Sequence, residues 1–152
     1  SLARQTKYNT LVFLNSLNSY LHTEFEREIR ERGPPKSPGL TLARRRGACR
    51  DLTMLFITLC RNQGIAARFV SGYQAHAETL RDRRHLHAWP EVYIPGGGWR
   101  GYDPSHGTVV VDAHVSLAAA RTAAAAMPVD GSFYGEGAQS GMAFEVSIHT
   151  DN

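Results

Sequence analysis

The chain has 152 residues, of which 42% are hydrophobic and 20% charged, and a formal net charge of +3 at pH 7. This length and composition are typical of one globular domain with a sizeable core. No apolar stretch approaches the roughly 20 residues that a membrane helix needs. The mild positive charge is not accompanied by a long basic stripe or a known nucleic-acid module. We therefore predict neither a membrane nor a nucleic-acid partner, and the oligomeric state stays open.

The sequence begins Ser1-Leu2-Ala3, without methionine and without a visible signal peptide,. We expect it to be a fragment of a longer chain. Its two cysteines, Cys49 and Cys60, lie about three turns apart on one predicted helix, which is beyond the reach of a disulfide. Unpaired cysteines favour a reducing compartment, so we predict a cytoplasmic location.

The first part of the chain is predicted to be helical. Apolar residues recur about every 3.6 positions over residues 7–32, which predicts one long helix. The Gly- and Pro-rich segment 33–39 ends it, and residues 41–48 are predicted to form a loop. A second helix is predicted over 49–63, and we expect it to be central because it is apolar on most sides.

The rest of the chain is predicted to be mainly sheet. An Ala-rich segment, 114–126, is the exception and is predicted to form a short helix. Extended segments are predicted at 65–73, 85–94, 99–102, 108–111 and 141–148. Helices that precede strands indicate an α+β fold rather than alternating βαβ units. We predict a single domain over 1–152, with a helical part of about 1–63 and a mainly β part of about 64–152.

One cysteine has a setting that favours reactivity. The small residues of Gly47-Ala48 lead into Cys49, and an almost uninterrupted apolar run follows it. This pattern predicts a loop that delivers Cys49 to the first turn of a buried helix. A thiol at a helix N-terminus ionises more easily, because the unpaired N–H groups there carry a partial positive charge. Cys60, on the same helix, is predicted to be buried and inert.

Two later residues can complete a catalytic set with this thiol. His87 lies on a predicted strand, where it can take the proton of Cys49. Asp103 ends the next strand, and if Gly96–Gly98 form a hairpin turn it lies near the level of His87. A carboxylate there would fix the tautomer of the imidazole and stabilise its charged form.

A metal site is the alternative that the histidines allow. His85 and His87, with His76 or Cys49, have ligand types that can chelate zinc. No fourth ligand has convincing spacing. We therefore predict no metal and no cofactor, and keep a metal-dependent hydrolase as a competing hypothesis.

Four segments, in this order, resemble the bacterial branch of the transglutaminase-like superfamily. They are Gly47-Ala48-Cys49-Arg50-Asp51, Gly64-Ile65-Ala66-Ala67-Arg68-Phe69-Val70-Ser71-Gly72-Tyr73, His87-Ala88-Trp89-Pro90-Glu91-Val92-Tyr93-Ile94-Pro95 and Gly98-Trp99-Arg100-Gly101-Tyr102-Asp103-Pro104. The resemblance implies a papain-like cysteine-protease fold, with the catalytic cysteine at the N-terminus of a central helix packed on an antiparallel sheet. It implies Cys49 as nucleophile, His87 as general base and acid, and Asp103 as the orienting group.

Two features depart from the superfamily's pattern. Pro90 stands where a small residue other than proline is usual, and because proline donates no ladder hydrogen bond, we expect the strand to be locally an edge or bulged. The segment Ala118–Met127 is mostly alanine where acidic residues are usual, so no function is transferred to it.

The function predicted from these features is acyl transfer. The resemblance implies a thiol enzyme that acts on amide bonds of peptides or proteins through a thioester acyl-enzyme. We favour hydrolysis, as in a cysteine peptidase or amidase, over cross-linking. The alternatives are a protein-glutamine gamma-glutamyltransferase and a catalytically silent peptide-binding module of the same fold.

Overall fold

The computed structural model describes residues 9–75 and 85–149. Its helices and strands are α1 (Thr10–Glu24), β1 (Glu26–Arg27), α2 (Pro38–Arg44), β2 (Arg46–Gly47), α3 (Cys49–Asn62), β3 (Ala67–Gln74), β4 (His87–Ile94), β5 (Gly98–Asp103), β6 (Thr108–Val109) and β7 (His114–Ala120). A 3-10 turn, Ala124–Ala126, follows. Among the described helices, none has both the length and the apolar character to cross a membrane.

Five strands form one antiparallel sheet in the order β6-β5-β4-β3-β7. Helix α3 packs on β3 and β4 and also contacts α1 and α2, so it is central, as its apolar sequence predicts. The core lies between these layers, where Leu14, Leu17, Phe56 and Val92 are fully buried. This mixed helical and antiparallel architecture confirms the predicted α+β class.

The long N-terminal helix predicted over 7–32 is shorter in the structure. Helix α1 ends at Glu24, and Phe25 is already extended. The following residues pair instead in the short parallel ladder of β1 with β2. The regular apolar spacing fades at this point, and two hydrogen bonds, from the N–H groups of Glu26 and Glu28 to residues 45 and 47, replace helical ones.

Part of the loop predicted over 41–48 is helix α2. Ser37 caps it by accepting the N–H of Leu40, and Pro38 occupies its first turn, where a missing N–H costs nothing,. Arg45 ends it with a φ of 48°.

Two predictions for the C-terminal part were wrong. Residues 114–120 form strand β7 rather than a helix, because pairing with β3 outweighs the helical propensity of alanine,. The alternating segment 141–148 forms no strand, and its apolar side chains Met142 and Phe144 are exposed. Pairing partners, and not alternation alone, decide whether a segment becomes a strand. The predicted single-domain boundaries stay a prediction.

Candidate active site

Cys49 is the first residue of α3. The side chain of Asp51, two residues on, accepts the N–H of Ala48 at 2.9 Å and so fixes the entry of the chain into the helix. Gly47 makes this possible, since a Cβ at that position would lie 2.8 Å from the Cβ of Asp51. The cysteine is half-buried and faces strand β4.

His87, the first residue of β4, lies between the other two predicted residues. Its Nε2 is 2.7 Å from Oδ2 of Asp103, and its imidazole lies close enough to the Cys49 side chain for each group to shift the pKa of the other. The structure therefore brings Cys49, His87 and Asp103 together, with His87 next to both of the other two, although they come from one helix and two neighbouring strands.

Asp103 ends β5 and is completely buried. Its Oδ2 also contacts Nδ1 of His106 at 2.9 Å and Nε2 of His114 at 2.8 Å. Its Oδ1 accepts the backbone N–H groups of Ser105 and His106. Every oxygen of this carboxylate is thus hydrogen-bonded within the protein.

These contacts shift the protonation of all three groups. Burial alone would raise the pKa of Asp103, but the hydrogen bonds from His106, His114 and His87 lower this pKa well below its usual range,. Burial opposes the charged form of His87, yet the bonds to Asp103 and Cys49 raise its pKa to about 10. Burial likewise opposes the thiolate, but His87 lowers the pKa of Cys49 below its ordinary value. The arrangement favours a thiolate beside an imidazolium.

Cys60 differs from Cys49 in every respect that matters for reactivity. It lies near the other end of α3, is fully buried, and its burial raises its pKa to about 12. A buried thiol in apolar surroundings is an inert core residue.

The sequence-based reasoning missed His106 and His114 as members of this cluster. His106 carried a local signal, because it follows Asp103 by three residues in a turn at the end of a strand. His114 carried none, since only the pairing of β7 with β3 brings it to the carboxylate.

The zinc ligands of the competing hypothesis are not the group that the structure assembles. His76 lies outside the described residues. Within the described part, the metal-capable group comprises His87, Asp103 and His114, whose donor atoms lie within 4.8 Å of one another. The nitrogen–oxygen distances of 2.7 and 2.8 Å are those of hydrogen bonds, whereas ligands placed ~2.0 Å from a tetrahedral zinc ion stand about 3.3 Å apart. A metal ion would therefore have to displace these contacts.

Pro90 has the local environment that its chemistry requires. It pairs with Phe69 on β3. The register between β4 and β5 begins one residue later, at Glu91. Strand β4 is therefore an edge on that side at Pro90, which agrees with the prediction, and His87 still reaches Asp103.

A cysteine that begins a central helix, packed on an antiparallel sheet that carries a histidine and a carboxylate, defines the papain-like fold. The sequence profile of the transglutaminase-like superfamily matches residues 2–104. The chain therefore belongs to the transglutaminase-like superfamily, and the resemblance seen in the sequence is confirmed.

Relatives in mycobacteria share this region. The protein ML0607 of Mycobacterium leprae is 32% identical over 99 residues, which cover 61% of this chain and 34% of that protein. Rv2569c of Mycobacterium tuberculosis is 30% identical over 132 residues, which cover 80% of this chain and 41% of that protein. The chain thus spans well under half the length of these relatives.

Solved structures share the fold. A candidate cysteine protease from Cytophaga hutchinsonii is 28% identical with a TM-score of 0.69, over 82% of this chain and 42% of that one. The periplasmic domain of TgpA from Pseudomonas aeruginosa is 26% identical with a TM-score of 0.53, over 69% and 41%. Legionella pneumophila LapG has a TM-score of 0.63 at 14% identity, over 78% and 68%, a likeness of fold alone.

Proposed function

We propose that this chain is the catalytic part of a thiol-dependent acyl-transfer enzyme that acts on amide bonds of peptides or proteins. The observation that carries the proposal is the position of His87, which is hydrogen-bonded to Asp103 at 2.7 Å and lies next to Cys49. The lowered pKa of Cys49 and the raised pKa of His87 support it, because together they favour a nucleophile that is ionised near neutral pH,.

The proposed reaction divides one difficult step into two. The Cys49 thiolate attacks the amide carbonyl, and the tetrahedral intermediate collapses to a thioester as the imidazolium of His87 gives its proton to the leaving amine. In the second half, water attacks the thioester, and His87, which is now neutral, takes a proton from this water. The second tetrahedral intermediate then collapses with cleavage of its C–S bond, which releases the carboxylic acid and the Cys49 thiolate. The proton stays on His87, so the thiolate–imidazolium pair is restored. Asp103 keeps the ring oriented throughout.

The negative charge on the tetrahedral oxygen needs a hydrogen-bond donor. The backbone N–H of Cys49 is suited to this, because the first N–H groups of a helix have no partner inside the helix. It also lies at the positive end of the dipole of α3.

We favour water over an amine as the acceptor of the acyl group. The support is the likeness, at 28% identity, to a protein named as a candidate cysteine protease. Transfer to an amine, as in a protein-glutamine gamma-glutamyltransferase, is the second candidate because the superfamily bears that name. The predicted reducing compartment stays a prediction.

The first test needs no knowledge of the substrate. We would measure the rate of alkylation by iodoacetamide against pH and assign the label by peptide mapping. Cys49 should react rapidly well below pH 8, the His87→Ala variant should react more slowly, and Cys60 should stay unlabelled. A Cys49 that reacts only as an ordinary thiol would contradict the proposal and favour a silent binding module.

The second test distinguishes the acceptors. Denatured casein is incubated with the protein and a fluorescent primary amine. New peptide termini or free ammonia without incorporated amine indicate hydrolysis, and incorporated amine indicates transfer. Cys49→Ala should abolish either product, and the matched Cys60→Ala variant should retain it.

A further inference from the structure

One oxygen of Asp103 lies within hydrogen-bond distance of three imidazole nitrogens. Its Oδ2 lies 2.7 Å from His87, 2.9 Å from His106 and 2.8 Å from His114. An ionised carboxylate only accepts hydrogen bonds, so each of these nitrogens carries the proton that faces it. Orienting the ring of His87 requires one such bond, and two further imidazoles are present.

The tautomer of His106 is decided by a contact on the ring nitrogen that points away from Asp103. Nη1 of Arg27, on β1, lies 3.3 Å from Nε2 of His106. A guanidinium only donates, so Nε2 accepts and the proton of a neutral ring is on Nδ1, which faces Asp103. The backbone N–H of the same residue binds the other carboxylate oxygen. His106 therefore holds Asp103 at two points as a neutral donor.

His114 reaches the carboxylate through an irregularity in the sheet. Ser71 pairs with Ala118 while Gly72 pairs with Ser116, so Leu117 is an extra residue on β7. Such bulges re-aim side chains and are frequent beside active sites. The displaced start of β7 brings His114 toward Asp103.

The position of His114 leaves one of its ring nitrogens buried without a hydrogen bond. Its side chain is 2% exposed, and its Nδ1 has no hydrogen-bond partner among the described residues. A buried nitrogen without a hydrogen-bond partner lowers the free energy of unfolding, so its presence indicates that the residue has a functional role. Its other nitrogen supplies one, because Nε2 binds the carboxylate of the site.

We propose that His106 and His114 are positioning residues, which clamp Asp103 in one orientation and so hold His87 with Nε2 bonded to the carboxylate and Nδ1 facing Cys49. The inference rests on the proposed function and adds two residues to it. With two extra N–H donors on the same oxygen, a rotation of the carboxylate away from His87 would break three hydrogen bonds. Both residues act through Asp103.

The test uses paired variants and the alkylation of Cys49. His114→Leu removes the donor, whereas the amide of His114→Gln can return one near the place of Nε2. His106→Leu and His106→Asn form the equivalent pair for Nδ1. At pH 6 each Leu variant should react about tenfold more slowly than the wild type, as expected for the loss of one hydrogen bond to a charged group. The Gln and Asn variants should stay within about threefold. His149→Leu, an exposed position, should change nothing.

A second measurement separates positioning from simple stabilisation. In nitrogen-15 spectra of histidine-labelled wild-type protein, His106 should be the neutral tautomer with its proton on Nδ1, and His114 should carry a proton on Nε2. Either one in another state would overturn the inference even if the Leu variants fail to fold. Leu variants that unfold more easily but keep the wild-type pH profile of alkylation would also overturn it. An unreactive Cys49 in the wild type would instead remove the proposed function.

Discussion

Arg30 donates a hydrogen bond to each carboxylate oxygen of Asp51, from Nη1 at 2.7 Å and from Nη2 at 2.9 Å. Asp51 is fully buried and also accepts the backbone N–H groups of Lys36 and Ala48. Burial would raise the pKa of this carboxyl, but these bonds, first that of Arg30, lower it. The segment between residues 30 and 36 is thereby tied to the turn that delivers Cys49.

Replacing Arg30 by Met should therefore destabilise the start of α3. The change leaves a buried carboxylate without its cationic partner, which costs about 3 kcal/mol of unfolding free energy. Urea unfolding measures the loss. The matched control is Arg45→Met, because the ion pair of Arg45 with Glu24 is exposed and is worth about 0.5 kcal/mol or less. Equal effects of the two variants would contradict a special role for the buried pair.

Removing the charge of Asp103 should disable the thiolate with little change in side-chain volume. In Asp103→Asn, the amide has a neutral oxygen in place of the carboxylate, so the imidazolium of His87 loses its counter-charge. We expect turnover to fall by about 10⁴-fold, as in other triads with this change. Alkylation of Cys49 at pH 6 should slow as well. A variant that folds and keeps full reactivity would show that Asp103 does not orient His87.

The Cys49–His87 pair makes stability depend on pH in a defined way. The pKa of His87 is raised from 6.5 to about 10, so its contribution is complete below about pH 6.5 and is lost as the pH rises toward 10. The pKa of Cys49 is lowered from 9.0, so its contribution is present above that pH and is lost as the pH falls through the lowered value.

At a pH above both 6.5 and the lowered pKa of Cys49, and up to about pH 9, these two trends cancel, because the folded and unfolded forms of the pair each bind one proton,. From pH 9 to 10 the folded pair binds on average about half a proton more than the unfolded pair, because the unfolded thiol titrates at 9.0 and the folded imidazolium at about 10. The unfolding free energy of the wild type should then fall by about 0.7 kcal/mol relative to the double variant Cys49→Ala, His87→Gln. Urea titrations at several pH values test this. A difference that keeps its size from pH 9 to 10 would speak against the ion pair.

Gly72→Ala should separate β7 from β3 at the bulge. A Cβ there would collide with the backbone oxygen of Val115 and lie 2.6 Å from Cη2 of Trp89. We expect a loss of about 2–3 kcal/mol and, because His114 is displaced, slower alkylation of Cys49. Gly97→Ala is the control, since its nearest neighbours, atoms of Ile94, are 3.4 Å away or more. A variant with wild-type stability would show that β7 can shift freely.

Several features could be predicted from the sequence because local chemistry decides them. Cys49 begins α3 since small residues and then an apolar run make that helix start there. Asp103 follows a strand that the Gly96–Gly98 turn returns beside β4. Four short motifs, in this order, were enough to predict the superfamily and the papain-like fold.

Other features depended on partners distant in sequence. An Ala-rich segment became β7 because the edge of β3 was available, while the alternating segment 141–148 found no such edge among the described residues. The end of α1 was decided in the same way, by the pairing of β1 with β2.

The sequence by itself thus determined the identity and order of Cys49, His87 and Asp103, because a nucleophile, a base and a carboxylate are recognised by residue type and local setting. Only the tertiary structure decided that His106 and His114 meet the same carboxylate oxygen. The orientation of His106 depends on Arg27 from β1, and the position of His114 depends on a one-residue bulge in β7. Neither leaves a periodic pattern in the chain, since contacts between distant strands are set by sheet register and packing rather than by local sequence.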